Sequence, residues 1–328
     1  MVLVSVRPFR WRDLPALLRY RNEGLFFDSA LQMTRGTALV PAAALFSYLA
    51  PAIGLYTFVG TSNGQSDEPL IGQVSHSYAS PLARLTYITP QSALESNAMA
   101  VLLGQIITQV AERGALRLLA EVPERSVAYQ ALREAGFAIY ARQRIWQLTA
   151  ETAPKVHLDN GWRGVTGWDN SALRSLYDDL IPGLVQQVEP LDMANPDGLI
   201  YTKQGQCLAY VELKYGWRGI WVQPFIHPDV GEVTPCLITL MQSLPYRLAR
   251  PIYLCVRSYQ AWLEPALQEL GAEPGPSQAV MVKHLAIAKK VTPSFGVLGL
   301  EGGHGEISAP VARTESETFC YDTTANYR

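Results

Sequence analysis

The chain has 328 residues, 48% hydrophobic and 17% charged, and its 27 Lys plus Arg against 29 Asp plus Glu leave a net charge of −2. That length corresponds to two domains of about 100 to 200 residues, which excludes a core too small to fold unaided, and the composition excludes the disordered class. The near-neutral balance removes any overall electrostatic reason for a nucleic-acid partner, and no basic run supplies a local one.

None of the four cysteines (Cys207, Cys236, Cys255, Cys320) forms a C-x-x-C pair or has a histidine at zinc-finger spacing. Three lie in apolar runs, so they are predicted to be reduced and structural, and their low density excludes a disulfide scaffold. The five histidines are scattered, and no metal site is expected.

Arg7, Arg10, Arg12 and Asp13 interrupt the region that a secretory signal would need to keep apolar, so the expected location is cytoplasmic. VLVSV reads as a strand that Pro8 halts, and Asp13 as the N-cap of a helix with Pro15 in its first turn. Residues 38–59 carry no charge and are long enough to span a bilayer, but Pro41, Pro51 and Gly54 divide them into a buried helix and a strand. No membrane partner is therefore expected. Helix is predicted patchily through 41–50, and strands at 53–60, 69–77 and 84–89. A long helix at 94–113 ends in Arg113 and Gly114. Then come the strand LRLLAEV, the helix SVAYQALREAG and a strand pair, FAIYAR and QRIWQLT. This order predicts an α/β (α+β) sheet covered by helices.

Residues 151–161 are polar and aperiodic, which suits a linker. Beyond them the order returns: WDNSALRSLY (168–177) parallels WRDLPALLRY (11–20), and PALQELGA (265–272) parallels QALREAGF (130–137). Between these lie the strands GLIYT, CLAYVELKY and GIWVQPFI, a helix near 234–248 and the strand IYLCV, with AVMVKHLAI as the last strand. The expected organisation is two related domains, 1–150 and 162–290, followed by a loose tail at 291–328 rich in Gly, Ser, Thr and Glu.

Three signatures, VRPFRWRDLPALLRY, ITP (88–90) before a helix ending VAERGA, and EVPERSVAYQALREAGF closing on A-G-F, resemble the GNAT superfamily of acyl-CoA-dependent N-acyltransferases. The second half resembles a diverged copy. The resemblance implies tandem GNAT-like domains, each a mixed, largely antiparallel sheet flanked by helices. It also implies a pantetheine lying between two splayed strands, with its amides held by Ile88 and Thr89. The pyrophosphate would lie on the backbone amides of Asn97, Ala98 and Met99 at a helix N-terminus, where N–H groups and the helix dipole favour anions.

The sequence departs from the family at both of its functional motifs. At the positions of the cofactor motif Q/R-x-x-G-x-G/A stand Leu94, Asn97 and Met99, and Glu95 adds a negative charge. Arg125 and Leu132 stand where many members carry an asparagine and an acid tyrosine. Tyr129 and Tyr140 are the remaining candidates for the acid that protonates the thiolate, and His76 for a base toward the amine. Glu212 and His227 are possible polar groups in the second cleft. The resemblance implies transfer of an acyl group, from acetyl-CoA or another acyl-CoA, to a small-molecule or peptide amine. That acyl transfer is the leading expectation, and the loss of these motifs motivates the alternative, a catalytically silent GNAT-like fold used for binding or assembly.

Overall fold

A computed structural model describes residues 4–62, 69–78, 80–149, 161–191, 197–245 and 250–285. The chain opens with β1 (Val4–Pro8), α1 (Leu14–Tyr20), β2 (Leu25–Phe26), α2 (Ser29–Thr34) and α3 (Leu39–Leu49). The meander β3 (Leu55–Ser62), β4 (Leu70–His76) and β5 (Leu82–Thr89) follows, then α4 (Asn97–Glu112), β6 (Arg117–Pro123), α5 (Val127–Glu134) and β7 (Ala138–Leu148). The order then returns as β8 (Trp162–Gly164), α6 (Asn170–Leu180), α7 (Gly183–Val188), β9 (Gly198–Lys203), β10 (Gln206–Tyr215) and β11 (Ile220–Ile226). It closes with α8 (Val233–Ser243), β12 (Ile252–Arg257), α9 (Glu264–Glu269) and β13 (Glu273–His284). The apolar stretch 38–59 is α3 followed by the start of β3, and no described helix is long and apolar enough to cross a membrane.

Local chemistry repeats between the halves. Arg7 pairs with Asp13 and Arg163 with Asp169, each with two N–H···O bonds of 2.6 and 2.7 Å over the same six-residue spacing. In each pair the aspartate also accepts a backbone N–H three residues earlier, Arg10 or Thr166, which fixes the turn leading into α1 or α6. Burial opposes ionisation of Asp13, but the bonds from Arg7 and the Arg10 amide together with the charges of both arginines outweigh it and hold the carboxyl below its ordinary value. Helices α5 and α9 both end on a glycine in the left-handed region, Gly136 (φ 81°) and Gly271 (φ 74°), where a side chain would be strained. Along α4, Met99, Leu102, Leu103, Ile106 and Val110 recur at helical spacing and are all buried under the first half of the sheet.

The halves do not sit side by side as closed sheets. All thirteen described strands form one sheet in the order β1-β3-β4-β5-β6-β13-β7-β12-β11-β10-β9-β8, with β2 added to β5. Among the described strands only β5·β6 and β11·β12 are parallel. The last strand of the second half, β13, lies between β6 and β7 of the first, and β7 in turn pairs with β12. Residues 1–288 accordingly form one compact unit.

This exchange corrects one sequence expectation. FAIYAR and QRIWQLT are not a hairpin pair but one eleven-residue strand, β7. No Gly, Pro, Asn or Asp stands at the junction to make a turn; β13 pairs with the strand from Ala138 to Gln147, across that junction, and β12 pairs with its second half, Gln143 to Leu148. The helix predicted near 234–248 stops at Ser243. The predicted tail (291–328) and all of the predicted linker but Gly161 lie outside the described residues.

Candidate functional site

The parallel pair β5·β6 is in register only from Leu82↔Arg117 to Arg84↔Leu119, after which the two strands diverge. A thioester cofactor of the expected kind would need the free edge of β5 in this V-shaped opening. That edge is taken by the chain itself. Strand β2 pairs Leu25 with Ile88 and Phe26 with Tyr87, and the Phe27 amide donates to the Thr86 carbonyl at 2.9 Å. On the opposite wall the Glu121 amide donates to the Phe27 carbonyl at 2.9 Å, so residues 25–27 bridge both arms of the V. Thr89 donates its hydroxyl to the Tyr20 carbonyl (2.6 Å), and the Gln91 amide donates to the Glu23 carbonyl (2.8 Å). Ile88 and Thr89 therefore belong to a sheet already closed on that side, and both are fully buried.

A buried polar seam holds this segment in place. Glu121 accepts the Ser29 amide and the Gln143 side-chain amide, both at 3.0 Å, through one carboxylate oxygen. The side-chain oxygen Oε1 of Gln278 accepts from Ser29 Oγ (3.0 Å) and Gln143 Nε2 (2.8 Å), and Cys255 donates its thiol to Gln143 Oε1. The residues come from α2, β6, β7, β12 and β13, so the segment in the opening is tied to the exchanged strands. Burial pushes the Cys255 thiol up to about 12, which leaves it protonated at neutral pH.

The second opening, between β11 and β12, is blocked differently. Pairing there runs only from Ile220↔Ile252 to Val222↔Leu254. Ile220 turns its backbone groups toward β12, so by alternation Pro224 and Ile226 face the opening. Pro224 has no N–H to offer, and the Ile226 carbonyl already accepts from Gln260 Nε2 (3.2 Å).

Neither helix N-terminus is furnished for a pyrophosphate. Ser96, the N-cap of α4, donates its hydroxyl to the Ala93 carbonyl, and Met99 donates its amide to the Ser96 carbonyl and turns its side chain into the core. Ala98 packs against the same core. The groove of about 370 Å³ between α4 and α5 includes Glu95, Ser96, Gln130 and Glu134 in its lining and no lysine or arginine. At α8, Asp229 and Glu232 stand before the first turn and Pro235 removes one of its N–H groups. The residues present do not fit an acyl-CoA.

A different site lies on the other face, between the halves. A cavity of about 310 Å³ is lined by Arg84, Glu121, Glu189, Lys214, Arg257 and a set of aromatic side chains including Tyr177, Tyr210 and Phe225. Its centre is Glu189, in the turn after α7. One carboxylate oxygen accepts Tyr140 Oη (2.5 Å) and Arg84 Nη2 (3.4 Å), and the other accepts Arg257 Nη2 (2.9 Å). Tyr177 donates its hydroxyl to the Glu189 carbonyl. Arg84 also reaches Glu121 at 3.8 Å. Arg257 is only 3% exposed, and its Nε and Nη1 are buried without a partner.

Burial alone would raise the Glu189 carboxyl, but the charges of Arg257 and Arg84 and the Tyr140 hydroxyl outweigh it and hold it down to about 2. A carboxyl whose value falls on folding stabilises the fold fully above its unfolded value and loses that contribution as pH drops toward its folded one. The advantage of the unaltered protein over Glu189→Gln, about 3 kcal/mol, is therefore expected to be complete above about pH 4.3 and to fade toward about pH 2 in urea titrations.

Among the sequence candidates, the cavity gathers only part. Tyr140 touches its charged centre, with its phenol raised well above the ordinary value by burial and then by the charge of Glu189, so its proton is committed to that carboxylate. Glu212 lines the cavity, paired with Lys214 at 3.0 Å. Tyr129 packs against the core of the first half. His76 is buried at the end of β4, its Nε2 bonded to the Ser80 carbonyl at 2.8 Å, and is not among the lining residues. His227 is held in its own turn, its Nδ1 accepting the Asp229 amide. Arg84, Glu121, Glu189 and Arg257 were not predicted. Arg84 and Arg257 are each a lone charge at an otherwise apolar strand, which is the available signal, but Glu121 and Glu189 lie among other polar residues, and the partners are up to 105 residues apart in sequence.

No protein-family model matches the chain, and no curated protein does. Many solved structures are similar in fold, two of them as follows. A GCN5-related N-acetyltransferase from Sphaerobacter thermophilus is 14% identical with a TM-score of 0.52, over 86% of this chain and 95% of that one. A tandem GNAT protein from the clavulanic acid biosynthesis pathway is 12% identical with a TM-score of 0.51, over 86% of this chain and 98% of that one. The chain carries the tandem GNAT fold, the fold of acetyltransferases, as the three sequence signatures implied.

Proposed function

We propose that this tandem GNAT fold works as a binding protein for a small ligand held between its halves, and that it takes no acyl-CoA. The observation that carries this reading is the occupation of the β5·β6 opening by Leu25–Phe27, which bonds to both strands where a pantetheine would have to pair. The acidic helix N-termini and Pro224 support it from the phosphate end and from the second half. Fold alone does not assign chemistry, because chemistry belongs to the site. Among the described residues, the lining of the central cavity includes no serine, cysteine or histidine.

Titration calorimetry with acetyl-CoA and CoA at millimolar concentration tests this directly. The expected result is no heat and no thermal shift with either. Saturable heat with acetyl-CoA would return the protein to the acyl-transfer reading, with an amine as acceptor, and would require residues 25–27 to leave the opening.

A further inference from the structure

We infer that the central cavity takes a free amino acid with an apolar side chain, its carboxylate received by Arg257; this rests on the binding-protein reading above. Arg257 is all but fully buried on the cavity wall, yet only one of its nitrogens has a partner, Glu189. The N–H groups on Nε and Nη1 lack acceptors. Unpaired donors on a buried guanidinium are costly, and a carboxylate is the planar acceptor that matches the guanidinium fork.

The remaining charges select among carboxylates. At the centre, Arg84 and Arg257 are balanced by Glu121 and Glu189. Over the whole lining, the carboxylates of Asp28, Asp197 and Glu212 join these against a single further cation, Lys214. Asp28 and Asp197 make no ion pair among the described residues, and Asp197 is exposed. A polyanion or a plain acid would be repelled by this excess of negative charge. An ammonium group on the same ligand relieves it, so a zwitterion adds no net charge and satisfies both ends. Tyr210 and Phe225, stacked at 5.7 Å, with Tyr177 tilted against Phe225, supply an apolar wall for a side chain. The volume of about 310 Å³ is at the small end of ligand pockets, suited to a single residue rather than a peptide.

The test is thermal shift and calorimetry on the full chain with each apolar L-amino acid from alanine to tryptophan, beside its decarboxylated amine and its deaminated acid. The expected result is saturable binding of at least one amino acid, with its amine and its acid at least tenfold weaker. Arg257→Lys, which keeps the charge and loses the fork, is expected to weaken that binding at least tenfold. If that variant does not fold, the matched series on the unchanged protein decides. Binding by no amino acid, or equal binding by the amine or the acid, would overturn the inference. A blank amino-acid series with no acetyl-CoA heat leaves the binding-protein reading standing, whereas acetyl-CoA heat removes that reading itself.

Discussion

Glu189→Ala is expected to destabilise the protein by about 3–5 kcal/mol, because it leaves a buried guanidinium without its counter-charge. Glu189 holds Arg257, which is 3% exposed, and it also takes Arg84 and Tyr140, so three groups from three strands lose one acceptor together. The size of the effect comes from that uncompensated burial, not from the worth of the ion pair itself. The surface pair Lys214–Glu212 is the control: both side chains are over a third exposed, and Lys214→Ala is expected to cost under about 1 kcal/mol. Urea midpoints of the two variants at neutral pH check both figures, and near-equal losses would contradict the role given to Glu189.

Separating the halves is expected to do more. Residues 1–150 alone lack β13, which fills the gap between β6 and β7, and residues 161–288 alone lack β7, which completes β12. The missing strand carries core side chains into the other half: Ala279 and Met281 of β13 lie in the core of the first half, and Trp146 and Leu148 of β7 in that of the second. Each half would also expose strand edges that the intact chain pairs, on β6 and β7 in the first and on β12 and β13 in the second, which invites aggregation. Expressed apart, the halves should be insoluble or unfolded by circular dichroism. Expressed together from two messages, they should assemble into one complex with the melting behaviour of the intact chain. Two independently folded halves would contradict the strand exchange.

Much of the fold was legible because its signals are local. The Gly114 helix stop and the run of α4 are set by residues within a few positions of one another, whereas Asp13, expected to cap α1, turns its carboxylate back to the Arg10 amide and makes no side-chain bond to the helix. The repeat was legible for the same reason, and the Arg7–Asp13 and Arg163–Asp169 spacing would have strengthened it. The strand exchange was not, since the alternation in β7 and β13 says that each is a strand and nothing about which neighbour it takes. Segment 25–34 was missed because two extended residues and six helical ones carry no period. The site was the least legible part. Leu94, Glu95 and Leu132 depart from the family's pattern in the sequence itself, but Glu189 meets Arg84 and Arg257 only through tertiary structure, 105 and 68 residues apart.

The central claim is that the chain's own residues close the opening in the first half, and amide hydrogen exchange reads it most directly. The Phe27 amide bonds to Thr86 and the Glu121 amide to Phe27. Both are predicted to exchange as slowly as the core amides of β4 and β5, with protection unchanged by acetyl-CoA. Rapid exchange at Phe27 and Glu121, slowed when acetyl-CoA is added, would mean that the segment is a displaceable cover and the cofactor site is real.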